Sequence, residues 1–160
     1  MLAWVAAGCR ARPTGTLELR WHLPADATAG LRSVRAVPDW GGANRGPLRD
    51  AGWTRVPLVR DDVPLASAAG AAPVDRPVAV ARGTLAAGRW DRVFVAASGV
   101  TAVAPDGSAV TVTNHIEPIA RGFDLPAGGH VTIDIVLVVL PTPSFVGTGW
   151  QIFVKDAVVR

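Results

Sequence analysis

Tyrosine is absent from the 160-residue chain, and cysteine, methionine and lysine occur once each, the lysine at Lys155. A single cysteine excludes an internal disulfide. Glutamate is scarce too: Glu18 and Glu117 are the only two, and the aspartates fall mostly at turn-like positions. The paired acids of a hydrolytic cleft are therefore missing. No stretch approaches the ~20 apolar residues that a membrane-spanning helix needs; the longest β-rich run, Val131 to Leu140, contains Asp134. No segment sustains an apolar period of 3.6 residues, which excludes a helical bundle. A dense basic run is also lacking. Fifteen arginines are scattered along the chain and the net charge is only +3, so the electrostatic footprint of a nucleic-acid-binding surface is absent.

What is present is β-strand pattern. Apolar residues make up 49% of the chain and charged residues 18%, a globular balance, and the length suits one domain with a sizeable core. From Thr16 to Leu23 the chain alternates cleanly: Leu17, Leu19, Trp21 and Leu23 on one side, Glu18, Arg20 and His22 on the other. Period two with one polar face is a half-buried strand. A phrase recurs forty residues apart: Leu85-Ala86-Ala87-Gly88 leads into Arg89 to Val95, and Leu125-Pro126-Ala127-Gly128 leads into Gly129 to Ile135. Each is an apolar residue, a glycine turn and a β-rich run. Pro105-Asp106-Gly107-Ser108 is a hairpin signal between two further strands. Pro38 to Pro47 reads as a loop, and Pro57 marks an edge strand. The pattern predicts an all-β fold, an antiparallel β-sandwich of the immunoglobulin-like or transthyretin-like kind with about seven to nine strands.

Residues 14–160 are expected to form this single domain, and residues 1–13 a remnant of a lipoprotein-type signal or an N-terminal tail. Ala6-Ala7-Gly8-Cys9 resembles a bacterial lipobox, in which the cysteine is acylated, although no charged region precedes it. Cys9 is thus a candidate lipid-attachment residue; the alternative is a buried core cysteine.

Several phrases together carry a family resemblance: Gly15-Thr16-Leu17-Glu18-Leu19, then Gly52-Trp53-Thr54-Arg55-Val56-Pro57-Leu58, then Leu85 to Val93, and finally Gly149-Trp150-Gln151-Ile152-Phe153-Val154-Lys155. In this order they resemble domain-of-unknown-function family 4382, found in secreted or lipid-anchored prokaryotic proteins. The chain departs from it with Trp90 and Trp150 where tyrosine is usual. The resemblance implies a β-sandwich and an extracytoplasmic, lipid-anchored location at the cell envelope, and it brings no catalytic residues.

Candidate sites are few. His115-Ile116-Glu117 places two metal-ligand types on one side of a strand, with His130 as a conceivable third, but a zinc centre needs three or four convergent ligands. Asp61-Asp62 lacks the spaced acidic loop of a calcium site. No serine sits in a nucleophile elbow, and the glycine pairs are too short for phosphate loops. The expectation is a non-catalytic module without metal or cofactor. Six tryptophans are the compositional anomaly. Trp21, Trp90 and Trp150 are expected in the core. Trp40 and Trp53 flank the 38–53 loop and are the candidate ligand-binding residues, able to stack on a sugar or to anchor a protein partner. The function expected is a cell-envelope module with a structural or protein-binding role, or alternatively a carbohydrate- or small-ligand-binding one. Partners are a protein or glycan of the envelope, and the membrane through an acylated Cys9.

Overall fold

The structure is a computed structural model that describes residues 11–46, 52–66, 76–144 and 147–160. The described residues form ten strands: β1 (Thr14–His22), β2 (Ser33–Asn44), β3 (Trp53–Arg55), β4 (Val63–Ala66), β5 (Val78–Ala86), β6 (Gly88–Val103), β7 (Ala109–His115), β8 (Ile119–Leu125), β9 (His130–Ser144) and β10 (Gly147–Val159). Among the described residues the only helical element is one 3-10 turn, Ala25–Ala27. The all-β expectation holds.

The strands follow one path, β3-β2-β6-β7-β10-β9-β1-β5, with β4 added on β2 and β8 on β6. The path almost closes on itself. Beyond β3 the backbone amide of Val56 bonds the Gly41 carbonyl at 2.8 Å; that of Val59 then bonds Val80, and Arg82 bonds Pro57, both at 2.9 Å. Residues 56–59 thus bridge β2 to β5, and the sheet is barrel-like. The antiparallel expectation needs correction. β1 runs parallel to β9, and β7 parallel to β10. Alternation fixes which side chains point inward, whereas the direction of a neighbour is fixed locally only when a hairpin joins the two strands. Long stretches of chain separate both parallel pairs.

The interior is filled by the inward residues of every long strand. Leu17, Leu19 and Trp21 meet Val93 and Val95, Ile133, Ile135 and Leu137, and Ile152, all buried. The two repeated turns lie at one end, as the repeat implies. Gly88 pairs with Leu125, and Gly88 and Gly128 have φ of 116° and 68°, the left-handed region where glycine carries no Cβ penalty. Both turns clamp the start of β1: Ala87 N–H donates to Pro13 at 2.8 Å and Gly128 N–H to Thr14 at 2.7 Å. Trp90 is 2% exposed. Its indole N–H donates to the Ala86 carbonyl at 3.1 Å, and the Arg45 guanidinium lies 4.4 Å above its ring. Trp150, expected in the core beside Trp21 and Trp90, is only half-buried at the margin of the core.

Prolines sit inside strands. Pro38, Pro141 and Pro143 lie within strands β2 and β9. Register shifts on both sides of Pro38 mark a bulge, where a missing N–H costs no regular ladder bond. The Pro38 to Pro47 loop is therefore mostly strand, and Trp40 sits on β2. Gly41 and Gly42 serve close packing there rather than turning. A Cβ on Gly41 would approach the Val56 carbonyl to 2.8 Å.

Candidate functional site

Side chains on the outside of β2, β3 and β6 follow from register. Gly42 stands opposite Arg55 on β3 and Phe94 on β6; Asn44 stands opposite Trp53 and Arg92. Residues directly opposite share a face, and Val93 and Val95 on either side of Phe94 point inward. Trp40 shares the outer face, because a Cβ on Gly42 would run into its indole ring. Three aromatic rings therefore surround one glycine. Trp40 and Trp53 meet edge to face at 5.7 Å and 81°, and Phe94 lies 6.1 Å from Trp40 and 6.2 Å from Trp53. These are favourable quadrupole geometries, each pair contributing about 0.5–1.5 kcal/mol beyond the area it buries. Trp40 covers the bare backbone of Gly42, as aromatic residues do beside glycines in sheets. All three rings are half-buried.

The two tryptophans singled out from sequence are thus brought together, on a strand face rather than around a loop. Phe94 was missed. Its signal was there, an aromatic between two inward valines in Val93-Phe94-Val95, but its proximity to Trp40 depends on a register that sequence does not reveal. Cys9 lies outside the described residues.

The outside of β1, β5 and β9 is different. Glu18 and Asp134 are buried there although they carry charge. Arg82 pairs with Glu18. Asp134 accepts from Arg20 Nε and Arg160 Nε, both at 2.6 Å. Burial opposes the Asp134 carboxylate, but hydrogen bonds and charge from Arg20 and Arg160 together more than offset it and hold its pKa below the ordinary 3.8.

The histidines do not converge. His115 stacks on Phe153 at 5.0 Å and 9°, and with Glu117, Pro118, Ile119 and Val154 these residues line a shallow groove of about 240 Å³. His130 bonds Thr132 at 3.0 Å at the start of β9. Phe153 pairs with Val138, eight residues further along that strand, roughly 26 Å away. Among the described residues no three His, Cys, Asp or Glu side chains are grouped to hold a metal. Asp62 pairs with Arg35.

No family model, curated protein or solved structure matches this chain.

Proposed function

We propose that the protein is a non-catalytic binding module of the cell envelope, with the outer aromatic face of β2, β3 and β6 as its recognition surface. One observation carries this reading: Trp40 and Trp53 cluster on the outside of a sheet whose inside is already filled, around Phe94, which packs at the margin of the core. Half-exposed tryptophans are enriched at recognition surfaces, because rigid rings present large contact area at little cost in entropy. In this reading the curled sheet is a stiff scaffold of the kind that immunoglobulin-like and transthyretin-like modules provide. The compartment follows from the family resemblance and from Ala6-Ala7-Gly8-Cys9, with acylated Cys9 as the anchor.

The test is cosedimentation of the purified domain with isolated cell-envelope material. The expected result is binding that falls at least several-fold in Trp40→Ala and Trp53→Ala while circular dichroism stays unchanged. Equal sedimentation of wild type and variants overturns the reading. Anchoring is tested separately, by labelling cells with a fatty-acid analogue. The label is expected on the wild type and not on Cys9→Ser; a label indifferent to Cys9 removes the anchor.

A further inference from the structure

We propose that the aromatic face takes an acidic glycan, a saccharide chain bearing carboxylate or sulfate groups. The proposal rests on the reading of this face as a binding surface and names the class of its occupant.

The argument starts from the two cross-strand rows. Arg55, Gly42 and Phe94 form one, and Trp53, Asn44 and Arg92 the next. They hold two arginines and no acid; Asp91, next to Arg92 in sequence, pairs with Arg89, and Asp39 is exposed beside Trp40 in the β2 bulge. Arg55 is exposed, and no carboxylate among the described residues pairs with it. Elsewhere on the sheet Arg20, Arg82, Arg35, Arg89 and Arg160 all hold carboxylates. The aromatic face thus joins ring surface to a guanidinium fork that is open to a planar oxyanion. Sugar rings lie against Trp40 and Trp53, and their acidic groups meet Arg55.

Two other anionic partners fit less well. A membrane would draw on protruding aromatics, whereas these rings are half-buried and packed on one another. A single-stranded nucleic acid carries a phosphate on every nucleotide and is tracked by a continuous cationic groove; one open arginine, Arg55, beside the rings matches a chain with sparser charge.

Calorimetric titration with three probes tests the proposal: oligogalacturonate, its methyl-esterified neutral counterpart, and an oligothymidylate. Oligogalacturonate is expected to bind, the neutral ester at least about tenfold more weakly, and added salt to weaken the acidic probe. Arg55→Gln should lower affinity for the acidic probe about tenfold, as loss of one charge-assisted contact does. Arg121→Gln, the same charge change on exposed β8, should not. Because Arg55 is exposed, this result does not depend on how Trp40 variants fold. Equal binding of the neutral ester with no effect of Arg55→Gln overturns the acidic preference and leaves the binding-face reading standing. Tighter binding of the oligothymidylate, or no binding of either saccharide, also overturns the proposal; envelope cosedimentation then decides the broader reading by itself.

Discussion

The two outer faces of one nearly closed sheet are built from opposite materials. Across β5, β1 and β9 the exterior is an ion-pair ladder, Arg82 to Glu18 and Arg20 to Asp134 to Arg160. Its acids are buried and its charges meet one another. Across β3, β2 and β6 the exterior is aromatic, with Trp40, Trp53 and Phe94 around Gly42. A face whose charges are internally matched has little left to offer a ligand. A face of half-open rings edged by arginine does. In the proposed reading the first face is structural and the second serves recognition.

Both faces can be calibrated against the core. Trp90→Ala removes a buried indole and its bond to Ala86, and should cost about 3–5 kcal/mol by urea unfolding. The ladder comes next. Asp134→Ala leaves Arg20 and Arg160 without their shared carboxylate, and about 2–3 kcal/mol is expected, tempered because both arginines reach solvent. A cost below that of Trp40→Ala would reverse the contrast between the faces.

The ladder also has a pH signature. The folded pKa of Asp134 lies below its unfolded value, so the unfolded chain takes up the proton first. The stabilisation is complete above about pH 5 and fades as pH falls through the folded pKa. Asp134→Asn should flatten this acid limb of stability; an unchanged limb would show that the ladder is not what acid breaks.

On the aromatic face, Gly42→Ala drives a methyl into the Trp40 ring, and about 1–3 kcal/mol of strain is expected unless the indole swings outward. Trp40→Ala comes last, at about 1–2 kcal/mol for a half-buried ring with two aromatic neighbours. A Trp40→Ala cost equal to that of Trp90→Ala would make Trp40 core and remove it from recognition.

The sequence carried the inward pattern well and the neighbours poorly. Alternation from Leu17 to Leu23 identified four buried residues, and the repeated Leu85 and Leu125 phrases placed two turns at one end. These are local properties, written in period and turn chemistry. The parallel β1–β9 and β7–β10 pairs were not legible, because direction there depends on how distant segments meet. Pro38 read as the start of a loop, yet tertiary pairing carries β2 through it. Gly41-Gly42 read as a loop because space is as good a reason for glycine as turning. At the site, Trp40 and Trp53 were legible as a tryptophan pair near one segment. That they meet on an outer strand face, joined by Phe94, required the β2–β6 register. His115 and Glu117 do share a groove, while His130 lies at the far end of β9, a separation no local pattern encodes.

The contrast between the faces is tested most directly by following the indole N–H resonances of the folded protein during titration with oligogalacturonate. The Trp40 and Trp53 signals should move with saturating dependence, and those of Trp21 and Trp90, both buried, should stay in place. Movement of backbone signals around Glu18, Arg20 and Asp134, with Trp40 and Trp53 unmoved, would contradict it.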